Sequence, residues 1–194
     1  TDDAAFRIGE SFYKNKQFNE AISAFKKVID KYPESELSGE SAYWIGESYL
    51  KISEYDEAIK YYRLSAENYP SNRLANYAFY SIGWVYQKQS KYEKAIESYQ
   101  EYLQKFPSDE LTQAAKVRVG ECYFYMKNYE QTIRELSEIR NNVTDSVALS
   151  NISFLIAESF YNLKKYDEAE KEYRYYISTF PNQEHFREAK YSLG

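Results

Sequence analysis

Apolar residues recur along the chain at helical spacing, in short amphipathic segments separated by polar turns. One such segment carries apolar side chains at Ala21, Ile22, Phe25, Val28 and Ile29. Because residues three and four apart share one face of an α-helix, this pattern predicts an amphipathic helix with one buried face. Similar segments follow one another along the chain, so the sequence predicts an all-α fold.

These segments repeat with a period of 37 residues. A small residue is followed three positions later by an aromatic residue, then by an alanine and a proline. The small residues are Gly9, Gly46, Gly83, Gly120, Ala157 and Gly194, and the aromatics are Phe12, Tyr49, Tyr86, Tyr123 and Phe160. The alanines are Ala21, Ala58, Ala95 and Ala169, and the prolines are Pro33, Pro70, Pro107 and Pro181. The fourth copy has Thr132 and Thr144 in place of its alanine and proline.

Each recurrent residue has a physical role in a pair of helices. A glycine on the first helix lets the second approach closely, because a larger side chain would hold the backbones apart. Proline disfavours helical geometry in itself and in the residue before it, so each proline is expected to end a second helix. Ser35, Asn72 and Ser108 come next and are predicted to cap the following first helices.

This pattern resembles the tetratricopeptide repeat family. The family motif, W-x2-L-G-x2-Y, then A-x3-F, then P, is matched by Ile8, Gly9 and Phe12, then Ala21 and Phe25, then Pro33. It is matched again from Ile45 to Pro70 and from Ile82 to Pro107. The resemblance implies a right-handed superhelical solenoid of antiparallel helix pairs.

The register divides the chain into five repeats, at about 2–34, 35–71, 72–108, 109–145 and 146–182. The first helix of a sixth repeat follows at 183–194. We expect these repeats to form a single domain of a longer chain, with no linker between them.

The period exceeds the 34 residues usual in this family. The three additional residues follow the proline and are expected to lengthen each first helix by about one turn. With the Tyr-Pro and Phe-Pro junctions, this period resembles bacterial envelope members of the family, such as the coordinator of the Tol-Pal system and the lipoprotein of the outer-membrane assembly machine. The resemblance implies a periplasmic or outer-membrane-associated protein, with a cytoplasmic one as the alternative.

The resemblance also implies that the first helices line a concave groove for partner peptides. Three residues before each small residue the side chain is mostly aromatic, and one residue after it mostly glutamate. The candidate binding residues are Phe6, Glu10, Tyr43, Trp44, Glu47, Tyr80, Trp84, Glu121, Phe154 and Glu158. Such a groove suits a protein or peptide that carries apolar anchors and Lys or Arg.

Two other interpretations of these residues stay open. The aromatics could pack between neighbouring helices, and the glutamates could pair with Arg7 or Arg118. Trp84 is the strongest candidate, because it interrupts the glutamate series with a large side chain. The sequence therefore predicts a non-catalytic scaffold in an envelope assembly. A self-associating structural scaffold, or a repeat domain attached to an enzyme, are the alternatives.

Composition and residue types disfavour several other functions. A formal net charge of -5 gives no attraction to nucleic acid. Cys122 is the only cysteine, which excludes an internal disulfide and a multi-cysteine metal site. His185 is the only histidine and is expected in an exposed junction, so no Ser-His-Asp set forms around it. The sequence predicts no catalytic residue, cofactor, metal or membrane-spanning segment.

Overall fold

A computed structural model describes residues 1–193 of the chain, so the predicted small residue Gly194 lies outside the described residues. The described residues contain no β-strand and form α1 (Asp2–Lys14), α2 (Phe18–Lys31), α3 (Glu36–Lys51), α4 (Tyr55–Arg63), α5 (Ala75–Lys88), α6 (Tyr92–Lys105), α7 (Thr112–Tyr125), α8 (Tyr129–Arg140), α9 (Ser146–Asn162), α10 (Tyr166–Thr179) and α11 (Phe186–Tyr191). A π-helical segment, Leu64–Asn68, continues α4. The predicted all-α fold is confirmed.

The helices pack as sequential hairpins. α1 packs on α2, α3 on α4, α5 on α6, α7 on α8 and α9 on α10. Three-residue turns join the two helices of each pair, which makes them antiparallel. The chain forms two compact units: unit 1, Thr1–Asp109, holds α1 to α6, and unit 2, from Glu110 onward, holds α7 to α11.

The recurrent glycines lie where the two helices of a hairpin are closest. A Cβ atom added to Gly46 would lie 2.8 Å from the ring of Tyr62, and one added to Gly9 would lie 2.6 Å from the ring of Phe25. Both rings are fully buried. These glycines were predicted to let the two helices approach closely, and the structure shows that the space they leave is filled by an aromatic ring of the second helix.

The fourth hairpin keeps this arrangement with different residues. Leu136 takes the place of the aromatic ring, and a Cβ atom added to Gly120 would clash with it. Thr132 is buried in the alanine position, and its hydroxyl donates a hydrogen bond to the backbone carbonyl of Asn128 at 3.1 Å. The departures from the family motif therefore leave the hairpin intact.

The junctions after the prolines differ from the prediction. Ser35 caps α3 as expected, accepting a hydrogen bond from the backbone N–H of Leu37. The side-chain amide of Asn72 donates to the carbonyls of Ser65 and Tyr69, and its oxygen accepts from the backbone N–H of Leu74 at 2.8 Å. Asn72 therefore caps a turn, and α5 begins only at Ala75. α7 likewise begins beyond Ser108. The predicted caps at Asn72 and Ser108 are wrong, and the extra residues lengthen α3 and α9 but not α5 or α7.

A tight turn with no glycine to mark it in the sequence closes every hairpin. The turns place Lys16, Ser53, Ser90, Lys127 and Lys164 in the left-handed region, with φ between 57° and 63°. In the first turn, the N–H of Gln17 bonds the carbonyl of Phe12, and the N–H of Lys16 bonds that of Tyr13, both at 2.9 Å. This pair of hydrogen bonds is the Schellman motif, whose left-handed residue is usually glycine.

Replacing Ser90 with glycine should therefore stabilise the protein by about 0.5–1 kcal/mol, because it removes the steric cost of a Cβ atom at positive φ. Urea denaturation of the variant measures the change. The control is Gln89→Gly, at the neighbouring residue with φ of -82°, which should destabilise. Equal losses for both variants would contradict the predicted strain at Ser90.

Candidate partner-binding face

In unit 1 the three first helices are neighbours, since α3 contacts both α1 and α5. They carry a common set of partly or fully exposed side chains. We call this set the first-helix face of unit 1: Glu10, Tyr13, Lys14, Tyr43, Trp44, Glu47, Lys51, Tyr80, Trp84 and Lys88. In unit 2, α7 and α9 contact each other and carry the remaining predicted residues, Glu121, Phe154 and Glu158.

Two of the predicted aromatics pack inside hairpins. Phe6 is 3% exposed and meets the ring of Phe25 edge-on at 5.4 Å. Phe154 is 9% exposed and stacks on His185, with ring centroids 4.1 Å apart. Their rings stabilise the hairpins and leave little surface for a partner.

The other predicted aromatics are half-buried and form two groups. In the first, Trp44 meets Tyr13 at 5.0 Å and Tyr43 at 5.5 Å, both edge-on. Tyr13 was not in the predicted set. In the second group, Tyr80 lies against Tyr99 at 5.4 Å, and Trp84 lies one turn further along the same helix. Each group leaves part of its ring surface accessible.

The glutamate in the middle of unit 1 binds tyrosine hydroxyls. Tyr62 donates a hydrogen bond to Glu47 at 2.5 Å, and Tyr13 donates one at 3.4 Å. Burial, and after it the charge of this carboxylate, raise the pKa of Tyr43. Glu47 thereby joins three helices and satisfies the hydroxyl of the fully buried Tyr62.

The other glutamates also have partners within the protein. Glu158 accepts a hydrogen bond from Tyr173 at 2.5 Å. Glu10 pairs with Arg7 at 3.1 Å. Glu121 is buried, where it pairs with Arg118 at 2.7 Å and accepts a hydrogen bond from Asn151 at 2.9 Å.

The identity of the residue opposite explains this difference. Where the second helix supplies a tyrosine, at Tyr62 or Tyr173, the glutamate binds its hydroxyl. Where it supplies Phe25 or Leu136, which have no hydroxyl, the glutamate binds an arginine of its own helix. Comparing the glutamate position of each first helix with the aromatic position of its second helix would have revealed this pairing in the sequence.

Burial of these tyrosines predicts a loss of stability at alkaline pH. Burial raises the pKa of Tyr13 to about 12, and the charge of Glu47 adds to the effect. Burial and the same carboxylate also raise the pKa of Tyr62. Because an unfolded tyrosine has a pKa of about 10, the folded state retains protons that the unfolded state loses above that pH. This contribution to stability is complete below about pH 10 and is lost as the pH rises towards 12.

Urea denaturation across that pH range measures the loss. The double variant Tyr13→Phe/Tyr62→Phe is the control and should show a shallower decline, because other groups titrate equally in both proteins. Parallel declines in the two proteins would show that these tyrosines do not contribute.

The residues considered for catalysis lie in packed positions. Cys122 is buried, and burial together with the charge of Glu121 raises the pKa of its thiol to about 12. The thiol is therefore protonated at neutral pH and a poor nucleophile. His185 is not the exposed residue expected from the sequence, since it stacks on Phe154 and its Nδ1 lies 2.6 Å from Glu188. Within residues 1–193, no helix is both long and apolar enough to cross a membrane.

Comparison with protein families gives three matches of one kind. Models of the tetratricopeptide repeat match residues 6–73, 77–109 and 153–182. A search of curated protein sequences gives no significant match.

Solved structures of tetratricopeptide repeat proteins share the fold. A tetratricopeptide repeat protein from Parabacteroides merdae aligns with a TM-score of 0.80 and 20% identity, over 99% of this chain and 72% of that one. YrrB, described as having an unusual peptide-binding site, aligns with a TM-score of 0.72 and 13% identity, over 96% of this chain and 90% of that one. MamA aligns with a TM-score of 0.70 and 19% identity, over 100% and 96%. At these identities the likeness concerns the fold.

Proposed function

This chain belongs to the tetratricopeptide repeat family, and on that premise we propose that it is a non-catalytic scaffold that binds a partner protein or peptide. Members of this family generally act by holding partners rather than by catalysis. The observation that carries the proposal is the accessible aromatic surface on the first-helix face of unit 1, which includes both tryptophans of the chain.

Trp44 and Trp84 are the proposed anchor points on this face. Large aromatic side chains dominate binding hot spots, because they offer much contact area and lose little conformational entropy. The indole N–H of Trp44 is buried without an acceptor among the described residues, so the accessible part of this side chain is its ring surface. Tyr43 and Tyr80 extend the surface beside the two indoles, and an apolar side chain of the partner would pack against these rings.

The remaining predicted residues have supporting roles in this proposal. Glu10 and Glu47 flank the aromatic surface of unit 1, and Glu158 has the equivalent position in unit 2. Phe6, Glu121 and Phe154 are buried, so they shape the helices that present the surface.

We also propose that the scaffold acts in a bacterial envelope assembly. The support is the long repeat period and the aromatic-proline junctions, Tyr32-Pro33, Tyr69-Pro70, Phe106-Pro107 and Phe180-Pro181. Fractionation of the source cells, with detection of the native protein, tests this part: recovery with the cytoplasm would contradict it.

A self-associating scaffold is the second candidate. Ile8 is 53% exposed, and it borders an open apolar groove of α1 and α2 with Ala5 and Phe12. The equivalent side chains in the next two hairpins, Ile45 and Ile82, are buried. A second copy of the chain could cover this groove.

Affinity capture with the wild-type protein and with Trp84→Ala tests the main proposal. The indole is only partly exposed, so its loss should lower the melting temperature while the helical fold is kept and partners are lost. Ile8→Ala is the control and should retain them. Equal recovery with Trp84→Ala would contradict the proposed face, and recovery of the chain itself, lost only with Ile8→Ala, would favour the second candidate.

A further inference from the structure

We propose that the segment bound by unit 1 is acidic: a peptide stretch with Asp or Glu next to an aromatic or aliphatic anchor. This inference rests on the proposed binding function and names the chemistry of its partner. The sequence led us to expect a partner with basic anchors. On the first-helix face, however, the glutamates have partners within the protein, whereas the lysines form no ion pair among the described residues.

The carboxylates near this face are already engaged. Glu10 pairs with Arg7, and Arg7 also contacts Asp3 at 3.4 Å. Glu40, near the start of α3, is held by two guanidinium nitrogens of Arg73, both at 2.7 Å. Together with the tyrosine bonds of Glu47, these contacts leave few free carboxylate lone pairs for a basic ligand.

Within the part of the chain that the structure describes, the lysines of the same face are not paired with carboxylates. Lys14, Lys51 and Lys88 have equivalent positions in the last turns of α1, α3 and α5, and all three are exposed. None of them forms an ion pair within residues 1–193. The ammonium of Lys88 instead lies 4.6 Å from the ring centroid of Trp84.

Helical geometry places these lysines beside the anchor residues. Each follows Glu10, Glu47 or Trp84 by four residues, so it lies one turn further along the same stripe. A lysine near a helix C-terminus also interacts favourably with the helix dipole. The helix dipole explains why a lysine is favoured at the end of each helix, but it does not supply a counter-ion. Three ammonium groups without an ion-pair partner in the described chain therefore attract carboxylates.

The two features together define the ligand. An apolar side chain in contact with Trp44 or Trp84 would place neighbouring carboxylates within one helical turn of Lys51 and Lys88. Exposed charges of this kind steer association and select partners more than they add affinity. The net charge of the whole chain is negative, so the row of lysines is a local positive feature. A long nucleic acid or an anionic membrane would also contact the negatively charged surface around it and be repelled.

Three matched sets of short synthetic peptides test the inference. All contain the same Leu, Phe and Trp anchors, interspersed with Asp and Glu, with Lys and Arg, or with Ser and Asn. Binding to the full chain is measured by fluorescence anisotropy of labelled peptides at low and high salt. The acidic set should bind best, and its affinity should fall with salt, as expected for exposed charge pairs.

Charge reversal identifies the lysines involved. Lys51→Glu/Lys88→Glu should weaken binding of the acidic set on the order of tenfold. Lys27→Glu/Lys31→Glu, on the second helix α2, is the matched control with the same change in net charge, and it should change the affinity by less than about twofold.

Several results would overturn the inference. These are preferred binding of the basic set, no binding of any set, equal effects of the two charge reversals, or tighter binding of a polyuridine RNA than of the acidic peptides. Loss of acidic-peptide binding with Trp84→Ala, but not with Lys51→Glu/Lys88→Glu, would leave the proposed binding face standing and refute only its selectivity for acidic segments.

Discussion

Replacing Phe25 with alanine should lower the free energy of unfolding by about 3–5 kcal/mol, the usual cost of removing a fully buried aromatic ring. The ring is 0% exposed, fills the space that Gly9 leaves open and meets Phe6 edge-on. No other side chain occupies that space, so the variant would leave a cavity between the two helices of the first hairpin.

Urea denaturation followed by circular dichroism measures this change. Because neighbouring repeats stabilise one another, the loss should also reach α3, which packs on α2 through Ile45. Ile8→Ala, at a side chain 53% exposed, is the control and should cost far less. A loss below about 1 kcal/mol for Phe25→Ala would show that contact of the ring with the glycine does not hold the hairpin together.

The second large effect concerns Glu47. Replacing it with alanine should cost about 1–3 kcal/mol, because the hydroxyl of the fully buried Tyr62 would lose its acceptor. Tyr13 would lose the same partner. Glu47→Gln keeps an acceptor oxygen in place and should cost less.

A double-mutant cycle with Tyr62→Phe separates this role from a role in binding. In the Tyr62→Phe background the second helix presents no buried hydroxyl that needs an acceptor, so Glu47→Ala should cost clearly less than in the wild type. Additive losses would mean that the carboxylate and the hydroxyl act independently. In that case Glu47 would be free to bind a partner, as expected from the sequence.

The repeat architecture could be predicted because it depends on residues with few alternatives. Only a small residue tolerates a ring at the distance seen between Gly46 and Tyr62. Proline at Pro33 or Pro107 cannot continue a helix, and the preceding helix ends within two residues of the proline in both cases. These constraints are local, so they appear in the sequence in a fixed register.

The features that were missed depend on residues with several possible partners. Asn72 was expected to cap a helix, but its amide bonds the carbonyls of Ser65 and Tyr69 and its oxygen accepts from Leu74 in the turn before α5. The left-handed residues are lysine or serine, which carry no signal for positive φ, where glycine would have been recognised. The stacking of His185 on Phe154 across a junction likewise has no signal in the spacing of the repeat.

The candidate face shows the same division. Its aromatic positions followed from the register, and Tyr43, Trp44, Tyr80 and Trp84 are partly accessible. Burial of Phe6 and Phe154 depends on which ring of the second helix lies opposite. The hydrogen-bond partner of each glutamate depends on whether the residue opposite it on the second helix has a hydroxyl. Neither position reveals this alone, because it is a property of the pair.

The central claim is that a partner binds the first-helix face of unit 1, and the two indole N–H signals in a nitrogen–proton NMR spectrum test it most directly. Trp44 and Trp84 are the only tryptophans of the chain, and both lie on this face. Titration with a captured partner, or with the best peptide of the acidic set, should shift or broaden both signals in a saturable manner. Saturable binding by an independent method, with both indole signals unchanged, would contradict the claim and place the binding site elsewhere on the protein.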